Sequence, residues 1–157
     1  MGAERGRPHG APRIALADDV DLVRTLFREY AEQLGVDLSF QHFEEELAGL
    51  PGNYDALLVA WLGDDAAGCV GVRPFEPGIC EMKRLFVRPA GRGGGVGRAL
   101  AVASVDHARA LGYERMRLDT MPSMAAAQAL YRSLGFVDIE PYRHNPVAGT
   151  RFMELQL

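Results

Sequence analysis

Four glycines occupy five positions at Gly93-Gly94-Gly95-Val96-Gly97, between a strand-like run, Cys80 to Arg88, and a nearly apolar segment, Val96 to Leu111. Glycine lets the backbone turn into the left-handed region and lets a ligand approach closely. A helix starting at such a turn aims its unpaired N–H groups and positive dipole end outward. Strand, glycine turn and buried helix in succession therefore demand a layered α/β domain with an anion site at the junction. A tight turn alone would explain a lone glycine pair. Four glycines flanked by Arg92 and Arg98 favour a phosphate-binding loop.

The chain has 157 residues, enough for one domain to bury about two-thirds of its unfolded surface without disulfide or metal. Its net charge of −4 is poor equipment for binding nucleic acid, which draws on clustered positive charge. The longest mainly apolar run, Ala56 to Leu62, falls far short of the ~20 residues that span a bilayer, so no membrane partner is expected. Residues 1–12, rich in Gly, Arg and Pro and lacking an apolar stretch, are expected to form a disordered leader rather than a secretion signal. A cytoplasmic protein is expected, with Cys69 and Cys80 reduced and buried.

The periodicities predict one mixed α/β domain over residues 13–157, in the order β-α-α-β-β-β-α-β-α-β-β. Arg13 to Ala17 reads as a strand. Asp18 then caps a helix carrying Val23, Leu26, Phe27, Tyr30 and Leu34, closed by Gly35. A short helix with Phe40, Phe43 and Leu47 follows, and Leu50-Pro51-Gly52-Asn53 ends it. Ala56 to Leu62 and Cys69 to Arg73 form a hairpin, with the next strand after a Pro74 to Gly78 loop. Arg115 to Thr120 is a strand, Ser123 to Leu134 a helix capped by Ser123, and Phe136 to Ile139 and Phe152 to Leu157 are terminal strands.

Spacing excludes two phosphate loops. Neither the Walker pattern, Gly, four residues, then Gly-Lys-Ser/Thr, nor the Gly-x-Gly-x-x-Gly dinucleotide fingerprint can be laid on Gly91 to Leu100. A third pattern fits: Arg92-Gly93-Gly94-Gly95-Val96-Gly97 after a strand ending Val87-Arg88-Pro89 matches Arg/Gln-x-x-Gly-x-Gly/Ala. With this loop the chain resembles the GNAT superfamily of acetyl-CoA-dependent N-acetyltransferases, over residues 13–157. The resemblance implies that backbone groups of Arg92, Gly93, Gly94, Gly95, Val96, Gly97 and Arg98 hold the pyrophosphate of coenzyme A. It also implies that Leu85, Phe86 and Val87 pair with the pantetheine arm.

Ala127-Gln128-Ala129-Leu130-Tyr131-Arg132-Ser133-Leu134-Gly135-Phe136 resembles that family's Ala-x-x-Leu-Tyr-x-x-x-Gly-Phe segment, where the Tyr lies near the cofactor sulfur. Many members carry Asn where this chain has Met124, so Ser123 is the candidate for that polar contact. The resemblance implies direct transfer of acetyl to a primary amine of a small molecule or peptide, by a monomer or homodimer, without a covalent acetyl-enzyme. The Phe86 or Val87 amide would polarise the thioester, Tyr131 would protonate the departing thiolate, and Glu81 would be the base. Burial beside Leu85 and Phe86 is expected to raise the pKa of Glu81; a salt bridge to Lys83 or Arg84 is the competing role. A water relay, or capture of amine already neutral, would replace a base.

His9, His42, His107 and His144 are too scattered to hold a metal, and none is expected. Tyr142, His144 and Asn145-Pro146, with Tyr30, Phe40 and Phe43, are candidates for the acceptor pocket, a packed aromatic core being the alternative for Phe40 and Phe43. The rival reading of the whole chain is a non-catalytic acyl-CoA-binding sensor of the same fold.

Overall fold

The computed structural model describes residues 10–35, 37–39 and 42–157; Phe40 and residues 1–9 of the expected leader lie outside the described residues. The element order is the expected one: β1 (Arg13–Leu16), α1 (Val20–Leu34), α2 (Phe43–Ala48), β2 (Ala56–Leu62), β3 (Asp65–Glu76), β4 (Ile79–Val87), α3 (Val96–Ala110), β5 (Arg115–Thr120), α4 (Ala125–Ser133), β6 (Val137–Ile139) and β7 (Arg151–Gln156). A 3-10 turn, Pro89–Gly91, joins β4 to the glycine loop. No helix among the described residues is long and apolar enough to cross a membrane.

The strands form one seven-stranded sheet in the order β1-β2-β3-β4-β5-β7-β6. Helices cover both faces, which is why Ala56 to Leu62 is a continuous apolar run rather than an alternating one. Ala56, Leu58 and Ala60 pack into a core shared with Leu100 and Val105 of α3 and Tyr131 of α4. Leu57 and Val59 face the opposite way, into a second core with Val23, Leu26 and Phe27 of α1 and Phe43 and Leu47 of α2. Cys69 and Cys80 are buried and free. Burial raises both thiols, that of Cys80 to about 12.

All neighbouring strands run antiparallel except β4 and β5. That parallel pairing covers only Ile79 to Glu81 against Arg115 to Arg117. Beyond it, β4 continues along β3 as far as Val87, while β5 continues along β7 as far as Thr120. Each strand keeps its outer partner and loses its inner one, so the sheet splits between them. A β-bulge sharpens the departure: register slips between Cys69 and Gly71, and Arg84 opposite takes φ 61°, in the left-handed region.

Three local expectations are corrected. Asp19, not Asp18, caps α1, accepting from the Leu22 N–H at 3.2 Å. Ser123 does not cap α4; Met124 holds that position without a side-chain bond. And β3 runs through Pro74 to Glu76, leaving Pro77-Gly78 as the turn. Pairing with β2 ends at Val72, so at Pro74 the strand has a neighbour on one side only, a place where a residue without an N–H is tolerated.

Candidate active site

The glycine loop leaves the start of α3 open. Gly93 and Gly95 take φ 82° and 80°, conformations costly for any side chain. Gly95 occupies the N-cap position with no side-chain bond, so no cap competes for the first helical N–H groups. Arg92 is exposed beside them, its Nε donating to the Val87 carbonyl at 3.3 Å. Arg88 is committed elsewhere, with two 2.9 Å bonds to the Glu29 carboxylate.

A cavity of about 550 Å³ runs from this loop into the split sheet. Its walls are Tyr30, Gln33 and Leu34 of α1, Leu85, Phe86 and Val87 of β4, Arg92, Gly97, and Ser123 to Ala127 with Leu130. Among the expected cofactor residues, Leu85, Phe86, Val87, Arg92, Gly97 and Ser123 therefore share one cavity. Gly93 and Gly94 are exposed on the loop, Val96 points its side chain into the core, and Gly95 and Arg98 border a shallow outer groove. Arg98 is tied to α4 by a 2.9 Å bond to Ser133 Oγ. A Cβ on Gly97 would stand 3.5 Å from Val87 and 3.8 Å from Leu130, so this glycine keeps the cavity floor low.

Between the open edge of β4 and β5 lies a second, much smaller cavity, about 20 Å³, sharing Tyr30, Leu85 and Met124 with the large one. Met82, Lys83, Arg84, Leu118, Asp119, Thr120 and Tyr131 complete its lining. Tyr131 is buried, its ring 5.7 Å from that of Phe136. Burial first, then the nearby Tyr30 and Asp119, push its hydroxyl above the usual range, so it stays protonated in neutral solution. Lys83 is also buried, and loss of water pulls its amine down to about 8 despite Asp119, whose Oδ1 lies 3.8 Å away.

Glu81 is placed apart from Tyr131, in an ionic cluster on the α1 and α2 face. It is fully buried. Its Oε1 accepts from Arg73 at 3.1 Å, and its Oε2 takes the Tyr142 hydroxyl at 2.7 Å and Arg143 at 2.8 Å. The expected upward pKa shift is reversed: burial does raise it, but Lys83, Arg143, Arg73 and the Tyr142 bond together hold this carboxyl below its ordinary value. Of the two expected partners, Lys83 does act on Glu81, while Arg84 is corrected. Arg84, turned by the bulge, pairs with Glu46 at 2.9 Å and lies over the Phe43 and Tyr30 rings.

Tyr142 reaches this face through aromatic contacts with Phe75 and Phe152. Phe43 lies in the second core, His144 is exposed, and Asn145 lines another small cavity beside Tyr30, Asp119 and Thr120. Sequence reasoning missed Arg73, Arg143, Asp119 and Thr120. The alternation of Met116 and Leu118 with Arg117 and Asp119 suggests a solvent-facing polar side, and Phe75, Tyr30, Leu38 and the segment before β7 cover it.

A sequence model of the acetyltransferase (GNAT) family matches residues 20–136, a span that includes the split strands, the glycine loop and the Tyr131 segment. The chain belongs to the GNAT family. An uncharacterised N-acetyltransferase of Schizosaccharomyces pombe is 41% identical to this GNAT acetyltransferase over 152 residues, 92% of each chain. Among solved structures, a GNAT acetyltransferase of Staphylococcus aureus superposes with a TM-score of 0.76 at 17% identity, covering 93% of this chain and 99% of the other. A Bacillus subtilis acetyltransferase in complex with CoA gives 0.71 at 21% identity, covering 93% and 99%. These resemblances establish the fold and the acetyltransferase class of this GNAT protein.

Proposed function

We propose that this acetyltransferase transfers acetyl from acetyl-CoA directly to a primary amine of a small molecule or peptide. One observation carries the reading: a cavity joins the start of α3 to an unpaired strand edge, and the small cavity adjoining it at Leu85 is lined by the buried Tyr131. β4 bonds to β3 on one side at Phe86 and Val87 and has no strand on the other, since pairing with β5 stops at Glu81. Backbone groups on such an edge can take an extended, amide-bearing arm as an added strand. The Gly93 to Arg98 backbone and the α3 start suit a pyrophosphate, because N–H groups and dipole both favour negative charge there. Ser123 and Arg92 supply polar contacts to the same ligand. A relative solved in complex with CoA supports the ligand class.

In this reading acetyl-CoA brings the activated acyl group, and the chain supplies position and protons. The Phe86 or Val87 amide donates to the thioester oxygen where negative charge develops. Tyr131 holds a proton for the departing sulfur, it lines the small cavity beyond Leu85, and a raised pKa keeps that proton in place until needed. Glu81 has both oxygens engaged, so its part is to anchor Arg73, Arg143 and Tyr142 as the acceptor-side wall. Two buried, unpaired cysteines suit a reducing cytoplasm.

The test is thiol release from acetyl-CoA with a panel of amines, alongside the melting temperature with acetyl-CoA, NAD and ATP. Amine-dependent thiol release, with stabilisation by acetyl-CoA alone, is expected. Stabilisation by NAD or ATP and not by acetyl-CoA would overturn the reading.

A further inference from the structure

Three cavities adjoin where β4 and β5 part: the large one of about 550 Å³ and two of about 20 Å³ beyond it. Among the described residues, only Tyr30 and Met124 line all three. They arrive from opposite sides of the sheet. Tyr30 belongs to α1, packed with the second core, whereas Met124 stands at the start of α4, whose Ala127 and Leu130 pack on the core shared with α3. Gln33 and Leu34 on α1, and Ser123 and Ala125 to Ala127 around Met124, line only the large cavity of the three. The long side chains at 30 and 124 are therefore the parts that reach the small ones.

The two residues differ in what holds them. The Tyr30 ring stands edge-on to that of Phe86, centroids 6.5 Å apart, and the Arg84 guanidinium lies 5.7 Å from its centre, so it is a fixed wall. Met124 occupies the N-cap position of α4 and makes no side-chain bond to the helix. Ser, Thr, Asp or Asn there would satisfy a free N–H, which a thioether does not. Met124 thus contributes nothing to its helix as a cap, and what it does contribute is the partition between the cavities. Methionine suits such a place, because an unbranched flexible chain follows an irregular gap.

We propose that Tyr30 and Met124 limit the acyl group this enzyme transfers to two or three carbons, with Met124 the residue that sets the length. The proposal rests on the reading of acetyl-CoA as donor and specifies what excludes longer donors. In that reading the pantetheine arm fills the large cavity along Leu85 to Val87, and the acyl carbons extend past the thioester toward the small ones. Each small volume takes one water-sized group, about the size of a methyl. The methyl of an acetyl group sits at the mouth, and that of a propionyl group fills one volume. A further carbon has to displace Tyr30, held by Phe86 and Arg84, or Met124. The chemistry is the same at every length: the C–S bond breaks, the C–N bond forms, and the proton lost by nitrogen balances the one gained by sulfur. Room alone distinguishes the donors.

The experiment measures, by calorimetry, the binding of acetyl-, propionyl-, butyryl- and hexanoyl-CoA to the full chain and to M124A, M124V and Y30L. Thiol release from each donor is followed with the amine that the parent acetylates fastest. The parent is expected to bind acetyl- and propionyl-CoA within about threefold of each other, and butyryl- and hexanoyl-CoA about tenfold or more weakly, the effect of one methylene too many in a closed pocket. M124A should bring butyryl- and hexanoyl-CoA to within about threefold of acetyl-CoA and release thiol from them. Y30L, which removes the ring from the opposite wall, should lengthen the profile as well. Thermal melts with acetyl-CoA show which variants fold, and M124V carries the comparison if M124A does not. Hexanoyl-CoA bound by the parent as tightly as acetyl-CoA, or an unchanged length profile in the folded Met124 or Tyr30 variants, overturns the proposal. A parent that binds none of the four donors overturns the acetyl-CoA reading instead.

Discussion

Lys83 of β4 and Asp119 of β5 meet at 3.8 Å, two residues beyond the last paired positions of their strands, Glu81 and Arg117. The contact bridges the split in the sheet at the narrow end of the proposed catalytic cleft. It also gives Lys83 an unusual titration. The Lys83 amine titrates at about 8 in the folded protein against 10.5 ordinarily. Between those values the unfolded chain binds the proton more tightly, so the Lys83 contribution to stability rises with pH across that window. Chemical denaturation of parent and Lys83→Met at pH 7.5 and 10 should show that increment in the parent and its loss in the variant.

Gly97→Val tests the cavity floor. The helix start at Gly97 faces Val87 and Leu130 at ordinary contact distance, so the fold should survive while the added methyls fill the cavity. Acetyl-CoA at about 100 Kd should stabilise the parent by roughly 2.7 kcal/mol. Most of that increment should vanish in Gly97→Val, as read by melting temperature with and without acetyl-CoA.

Tyr131→Phe keeps the ring against Phe136 and removes only the hydroxyl. If that hydroxyl protonates the departing sulfur, kcat should fall by about 10²-fold while acetyl-CoA affinity stays within threefold. Steady-state kinetics with acetyl-CoA binding measured separately will decide it. Parental kcat, with chemistry shown to limit turnover, would leave the ring as packing.

Glu81→Gln strips a buried anion from Arg73 and Arg143. Removing one partner of a buried ion pair costs about 3–5 kcal/mol, because the remaining charges lose their compensation. The folded-state pKa of Glu81 lies below its ordinary value of 4.5. Its stabilisation is therefore complete above that value and is lost as pH falls through the lower folded value. Denaturant melts should show a large deficit at pH 7 that narrows towards pH 3, the variant being flatter in acid.

The element order and the glycine loop were legible because each is written locally. A strand buried on both faces reads as Ala56 to Leu62, and a helix packed on the sheet reads as Val96 to Leu111. The ends were less legible: Pro74 suggests a strand end, yet it is tolerated where β3 has outrun β2. Glu81 was found by its place on β4, but its partners come from β3 and the segment before β7.

By itself, then, the sequence determined the α/β layering, the glycine-rich loop at the start of α3 and the tyrosine on α4, since turn chemistry and periodicity are properties of neighbouring residues. Tertiary structure alone decided which charges meet. The separation of β4 from β5 depends on each strand's outer partner and on a bulge that puts Arg84 at φ 61°, none of which is encoded within either strand. Arg73 and Arg143 place Glu81, the expected base, at the centre of an ion cluster, and Asp119 meets Lys83 across the separation. A charge takes its chemistry from what surrounds it, and those surroundings are assembled from residues far apart in the chain.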